Sequence, residues 1–230
     1  MKHSQDKIWE YYQGEAVSSF DSNYTRLNFI LNHIPKNSNV LNIGVGNAYL
    51  ERIALKREIK ISSLDPDDDS MKRVAQELNI ETKAGYSTAI PWEADSFDVI
   101  IMSEVIEHLK DEDIRLTLNE IKRCLKNGGH FLGTVPANEI LSQNHVICPN
   151  CEHQFHRWGH QQSYSEERLK ATLSQLSLTP TIKRCYFPAW KNLNLFGKLE
   201  AGLKHFFMFL GKKGANENYF FSVKKETRYP

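Results

Sequence analysis

The chain lacks a surplus of either charge: 29 Lys and Arg face 28 Asp and Glu, a formal net of +1 over 230 residues. No global field would draw it to nucleic acid, so only local basic patches could. Its four cysteines are too few for a disulfide scaffold, and two of them, Cys148 and Cys151, have metal-ligand spacing instead. No uninterrupted apolar run is long enough to span a bilayer, and Met1-Lys2-His3-Ser4-Gln5-Asp6 lacks the apolar core of a secretory signal. The cytoplasm is therefore the expected location. Internal repeats and low-complexity segments are also missing. What is there, with 40% hydrophobic residues, suffices for one sizeable core and a single domain over 1–230.

The apolar run that starts at Val40 breaks into Asn42-Ile43-Gly44-Val45-Gly46-Asn47. Gly44 and Gly46 allow tight positive-φ turns and bring bare N–H groups against a ligand, with a helix from about Ala48 behind them. The third glycine of the dinucleotide fingerprint is missing, and Tyr49 stands in its place. A second apolar run, Ile59 to Leu64, ends in Asp65, at the distance where a carboxylate accepts ribose hydroxyls. These features imply a nucleoside-like cofactor and leave NAD and S-adenosylmethionine both open.

Strands and helices alternate through the first two thirds, the pattern of a parallel sheet covered on both faces. Strands are expected near Val40–Ile43, Ile59–Leu64, Ile80–Ala84, Phe97–Met102, His130–Val135, Thr181–Tyr186 and Tyr219–Lys224. Helices fit Ala48–Arg57, Asp68–Leu78 and Asp111–Cys124, the last ending before Asn127-Gly128-Gly129 as a C-cap. Ser163 to Glu166 has capping-box spacing for a further helix to about Leu176.

Ser96-Phe97-Asp98-Val99-Ile100-Ile101-Met102-Ser103-Glu104-Val105-Ile106-Glu107-His108-Leu109 resembles the fourth-strand motif of class I S-adenosylmethionine-dependent methyltransferases. Ile90-Pro91-Trp92 and Leu125-Lys126-Asn127-Gly128-Gly129 stand at that family's places, and the likeness runs from about Val40 to Val135. It implies a Rossmann-like, doubly wound α/β fold: a mostly parallel seven-stranded sheet with an antiparallel last strand. It also implies that Gly44 and Gly46 approach the methionine part, Asp65 holds the ribose, and Ser103 and Glu104 line the crevice. Two positions depart from the pattern. Asn42 stands where an acid is usual, and Tyr86 where an acid often receives the adenine amino group, leaving that contact to Ser87 or backbone.

Two constellations concern the acceptor. Glu104-Val105-Ile106-Glu107-His108 resembles the E-x-x-E-H of metal-dependent O-methyltransferases, in which two carboxylates and an imidazole on one helical face hold Mg or Mn and a later histidine, here His160, completes the set. The same residues also occur without metal, as a helix start. The second is C-x2-C-x4-H-x3-H, formed by Cys148, Cys151, His156 and His160, a loop-sized knuckle suited to tetrahedral zinc, in which His145 or His153 could replace His160. It falls after strand five, where the family places acceptor-binding insertions. His160 cannot serve both metals. Without zinc, the segment is an aromatic–histidine lid bearing Phe155, His156, Trp158 and His160.

Trp9, Tyr11, Tyr12 and Phe20 suggest a helical cap over 1–36, followed by a cofactor-binding core at 37–136, the Cys/His-rich insert at 137–162, and a C-terminal helix with edge strands at 163–230. Within the last, Phe196, Leu199, Leu203, Phe206 and Leu210 recur at helical spacing beside Lys198, Lys204, Lys212 and Lys213, in an amphipathic insert at 191–213. Segment 193–210 reads either as a peripheral membrane contact or as a surface docked on the fold or on a second copy. The expected activity is methyl transfer from S-adenosylmethionine to a small-molecule or glycan hydroxyl, with a lipid-linked acceptor among the choices. Metal-dependent 2′-O-methylation of an RNA 3′ end and a noncatalytic zinc-containing binding protein are the alternatives.

Overall fold

The structure, a computed structural model, describes residues 6–13, 23–176, 180–212, 214 and 217–226. Two helices, α1 (Asp6–Gln13) and α2 (Tyr24–Leu31), precede β1 (Asn39–Ile43). Then come α3 (Tyr49–Lys56), β2 (Lys60–Asp65), α4 (Asp68–Leu78), β3 (Thr82–Ala84), β4 (Phe97–Ser103), α5 (Asp111–Cys124) and β5 (Leu125–Pro136). A short hairpin of β6 (His145–Ile147) and β7 (Gln154–His156) leads to α6 (Glu166–Leu173), β8 (Thr181–Tyr186), α7 (Leu195–Phe209) and β9 (Glu217–Lys224).

Seven strands form one sheet in the order β3-β2-β1-β4-β5-β9-β8. β1 to β5 pair in parallel, and β9 runs antiparallel between β5 and β8. The expected doubly wound sheet with an antiparallel last strand is what forms. Side chains alternate along each strand, so β4 feeds two cores. Val99 and Ile101 pack with Ile30 of α2 and Leu50 of α3, whereas Ile100 and Met102 pack with Ile114, Leu118 and Ile121 of α5 and Leu169 of α6. All four β4 side chains are fully buried, each worth about 1.5–3 kcal/mol of burial. The reversal of strand order at β1 and β4 opens a crevice at their carboxyl ends, which is where open α/β sheets bind ligands.

α5 has the expected bounds. Asp111, Glu112 and Asp113 occupy its first turn and Lys122 and Arg123 its last, each set matched to the local helix dipole. Its end differs from the expected C-cap: Leu125 is already extended (ψ 135°) and starts β5, pairing with Phe97, so Asn127-Gly128-Gly129 belongs to a strand. The capping box also moves. Ser165 caps α6 by accepting from Arg168 N, because Ser163 Oγ donates to Glu139 O instead. β3 is shorter than expected, with Ile80 and Glu81 outside it.

Gly133 tests the sheet. A Cβ there would lie 2.0 Å from Met102 O and 2.4 Å from Phe221 Cζ. Gly133→Ala should destabilise by about 1–3 kcal/mol, read as a lower midpoint in thermal unfolding.

Candidate active site

The glycine turn is as tight as its residues allow. Gly44 has φ +87° and Gly46 φ +56°, and a Cβ on Gly44 would fall 2.5 Å from Val105 Cγ2. Gly44 N donates to Leu64 O (2.9 Å), and Val45 N donates to Asp65 Oδ2 (3.0 Å). Asp65 Oδ1 accepts from Asp67 N (3.0 Å), so this buried carboxylate braces the turn and the start of α4 together. Asn42 Nδ2 reaches back to Gly44 O (3.3 Å) and Glu51 Oε1 (2.7 Å), and Ser63 Oγ donates to the same Glu51 oxygen (2.8 Å).

Burial raises the Glu51 carboxyl above its usual range, against those two hydrogen bonds. A folded-state pKa above the unfolded value gives stability that is present at low pH and lost as pH rises from 4.5 through the raised value. Glu51→Gln keeps the acceptor for Asn42 and Ser63 but cannot ionise. It should flatten part of the fall in denaturant midpoint as pH rises above 4.5.

A cavity of about 1060 Å³ runs from this turn across the ends of β1, β2 and β4 to the insert after β5. Asn42, Gly44, Gly46, Asp65, Tyr86, Ser87, Ser103 and Glu104 all line it, so every residue expected at the cofactor borders the same cavity. Tyr86 is 41% exposed; Ser87 is buried and its Oγ pairs with Thr117 Oγ1 (2.8 Å). Ser103 Oγ pairs with Thr134 Oγ1 (2.9 Å). α1 closes one side, with Trp9 and Tyr12 in the lining and the Trp9 indole edge-on to His108 at 4.2 Å.

Glu104, Glu107 and His108 do not share one helical face. Glu104 takes φ +57°, and only Ile106–His108 forms a 3-10 turn. Glu104 instead meets Arg26 (3.5 Å) and accepts from Asn218 Nδ2 (3.1 Å). Glu107 and His108 turn inward and are buried. Burial, with the Glu104 charge behind it, pushes Glu107 well above the carboxylate range; burial, with His160 beside it, pushes His108 well below the imidazole range. Glu107 Oε1, Glu107 Oε2 and His108 Nδ1 are buried without a hydrogen-bond partner among the described residues. A Glu107 oxygen and one ring nitrogen each of His108 and His160 lie within 4.8 Å of one another.

His156 and His160 meet a residue that the sequence reading missed. Glu139, in the loop after β5, faces His160 Nδ1 with Oε2 (2.5 Å) and His156 Nε2 with Oε1 (3.2 Å), and Asn144 Nδ2 donates to Oε1 (2.9 Å). The hydrogen-bond directions fix the tautomers. His156 Nδ1 accepts from His160 N (3.1 Å) and faces Trp158 N (3.4 Å), so its proton sits on Nε2 and is donated to Glu139. Burial keeps His156 below the usual imidazole range, which favours this neutral ring. Burial would raise Glu139, yet the hydrogen bond from His160 holds it below the usual range. An ionised Glu139 receives the proton of His160 Nδ1, and in the neutral ring that leaves the lone pair on Nε2; His160 lines the cavity.

Cys148 and Cys151 stand apart from these groups, at the tip of the β6–β7 hairpin. Cys148 N donates to His153 O (2.9 Å), and backbone N–H groups of Asn150 and Cys151 draw the Cys148 thiol below its usual range. Among the described residues, neither cysteine joins a three-ligand group; His156 and His160 converge with Glu139 rather than with the thiols.

A doubly wound sheet with a braced glycine turn, an acid at the end of β2 and a cavity across the topological switch point defines an α/β enzyme that binds a nucleoside-containing cofactor. The methyltransferase domain family model matches residues 9–180, and the chain belongs to that family. Membership makes it a methyltransferase, with S-adenosylmethionine as the donor that the family implies. No curated protein matches the sequence. Among solved structures, 1,6-didemethyltoxoflavin-N1-methyltransferase of Burkholderia thailandensis, with S-adenosylhomocysteine bound, is 14% identical (TM-score 0.68), covering 96% of this chain and 87% of its own. A Haloferax volcanii chain solved with the Trm112 methyltransferase activator is 15% identical (TM-score 0.70) over 99% of this chain and 100% of its own. An S-adenosylmethionine-dependent methyltransferase of Thermotoga maritima is 16% identical (TM-score 0.66) over 96% and 100%. At these identities they attest the fold.

The residues present suit that donor. Gly44 and Gly46 hold the turn in positive φ, and the turn and Asp65 share a cavity large enough for a nucleoside and an acceptor together.

Proposed function

We propose that the protein methylates a hydroxyl of a small molecule or glycan. The observation that carries this reading is the Glu139–His160 pair on the cavity wall. S-adenosylmethionine supplies a methyl group already activated on a sulfonium, so the demands on the chain are alignment and removal of the acceptor's proton. Glu139 holds His160 by Nδ1, which keeps Nε2 as a lone pair able to take the proton from an acceptor hydroxyl. His156 and Asn144 hold Glu139 in turn. Trp158, 38% exposed and in the cavity lining, offers a ring face to a sugar or aromatic acceptor.

The test is an incubation with donor and a panel of sugars, polyols and phenols, following S-adenosylhomocysteine release and product mass. A methyl ether supports the reading. Methylation confined to nitrogen or carbon acceptors, or tight donor binding with no transfer to any of them, overturns it.

A second reading is favoured by the orphaned atoms of Glu107 and His108: a divalent cation, magnesium or manganese, held by Glu107, His108 and His160. His160 would then keep the place that the sequence reading gave it, while Glu104, drawn to Arg26 and Asn218, leaves the set, with Glu139 as the carboxylate behind a ligating histidine. Such a cation binds two neighbouring hydroxyls and lowers the pKa of one, which suits a sugar diol or the terminal ribose of an RNA. It predicts that chelator treatment abolishes turnover, that Mg²⁺ or Mn²⁺ restores it, and that Glu107→Gln removes the response while donor affinity holds. Turnover indifferent to chelator leaves the metal-free pair.

A further inference from the structure

α7 presents a face that the fold does not use. Leu195, Phe196, Leu199, Leu203, Phe206 and Phe207 are between 43% and 83% exposed. At 3.6 residues per turn they fall in one stripe about 120° wide, and Leu210, 56% exposed at the helix end, continues it. Ala201, 2% exposed, lies opposite the middle of that stripe, and His205 on the same inner side packs against Tyr186 (5.3 Å) and Trp190 (6.1 Å). The helix is therefore docked by its narrow inner face while its broad apolar face points outward. Lys198 and Lys204 sit about 60° outside the two edges of the stripe. Lys212 follows the helix with its ammonium over the Phe207 ring (4.9 Å). Glu200, the one acid within α7, is paired with Lys204 (3.2 Å).

We propose that α7 seats the protein on an anionic lipid bilayer, the apolar stripe entering the headgroup–acyl boundary and the flanking lysines lying at the phosphates. Three features on the helix select this occupant. An apolar arc with Lys198 beyond one edge, the Glu200–Lys204 pair beyond the other and Lys212 past the helix end carries a net positive flank, which matches the boundary between acyl chains and anionic headgroups. A second copy packed stripe to stripe would gather Lys198 and Lys212 of both helices about one apolar seam, with the sole acid of each helix, Glu200, already paired to Lys204, which opposes that pairing. No described helix is long and apolar enough to cross a membrane, so α7 lies along the surface. The chain leaves the cavity wall at Phe187 and rejoins it at Gly214 and Glu217, so the membrane-bound helix is inserted between two pieces of that wall. This proposal is independent of which atom is methylated.

The experiment is flotation of the full chain with phosphatidylcholine vesicles, with and without phosphatidylglycerol, alongside light scattering for oligomeric state. The expected result is a monomer that binds the phosphatidylglycerol vesicles at least about tenfold more tightly, an advantage that shrinks as salt is raised. The L199E/F206E double variant should lose binding by at least about tenfold with an unchanged thermal midpoint, since both side chains are exposed. Lys198→Glu with Lys204→Glu, which leaves the apolar stripe intact, should lose the preference for anionic vesicles. Failure of the wild type to bind either vesicle, or equal binding by L199E/F206E, overturns the proposal. So does a lipid-free dimer that L199E/F206E converts to monomer, because a second copy is then the occupant.

Discussion

Asp65→Ala is expected to bind S-adenosylmethionine about 5- to 150-fold more weakly than the wild-type protein in a calorimetric titration, with no NAD binding by either. The range follows from removing a charged acceptor of hydroxyl hydrogen bonds, worth about 1–3 kcal/mol at tenfold per 1.4 kcal/mol. Asp65 is 3% exposed at the end of β2 and is held from behind by two backbone N–H groups, those of Val45 and Asp67. Its carboxylate thus has one orientation toward the cavity, which is the preorganisation that makes a ribose contact strong. The substitution also removes the brace on Val45, so part of the loss reflects a looser turn. Asp65→Asn separates the two effects. An amide still accepts one of the backbone bonds but lacks the charge, so a loss nearly as large as that of the alanine variant assigns it to the charged contact. An unchanged affinity in either folded variant removes Asp65 from the cofactor's binding groups.

The elements that could be read from the sequence are those whose signals are local. α4 and α5 occupy Asp68–Leu78 and Asp111–Cys124 as expected because acids at their first turns and apolar stripes along one face are set within each segment. The glycine turn and Asp65 were legible because a strand, a turn and an acid at fixed distance form one structural unit. Long-range bonds decided the rest. Ser163 has capping spacing, but its hydroxyl is taken by Glu139 O, 24 residues away, and Ser165 caps the helix. The 104–108 segment has helical spacing, but the left-handed backbone at Glu104 breaks it and sends Glu104 to Arg26 and Asn218. That turn also carries Val105 to the place beside Gly44 that only a glycine leaves open.

Glu139 is the most consequential residue that spacing did not single out. It meets His156 and His160 at 17 and 21 residues' separation, and no periodicity links a loop carboxylate to a hairpin. The four-ligand zinc knuckle was a reading of spacing alone. In the fold, β6 and β7 pair through His145 and His156, which puts Cys148 and Cys151 at the far tip while His156 stays at the base beside Glu139. For α7, the sequence shows the stripe but not its direction; Ala201 and His205 on the inner side decide it.

Glu139→Gln is expected to lower turnover on a hydroxyl acceptor by about 10²–10⁴-fold with donor affinity nearly unchanged, the range of a lost, positioned general base. The change is one atom, yet it cannot serve both neighbours. His160 Nδ1 and His156 Nε2 each donate to one carboxylate oxygen, whereas an amide offers one acceptor and one donor group. Backbone N–H groups at Nδ1 lock the proton of His156 on Nε2, so His156 keeps its direction and the amide oxygen turns toward it. The amide N–H₂ then faces His160 and drives that ring to the other tautomer, with its proton on Nε2 and no lone pair for the acceptor. His160→Ala should fall as far as Glu139→Gln, and the two together little further, because both remove the same base. A purely structural role predicts a different pattern: loss of thermal stability in proportion to loss of turnover. Here His160→Ala should lose turnover far out of proportion to any fall in thermal midpoint, while Asn144→Ala, which removes only one bond to Glu139, loses at most about tenfold. Full turnover in Glu139→Gln on an acceptor that the wild type methylates would exclude the pair from catalysis.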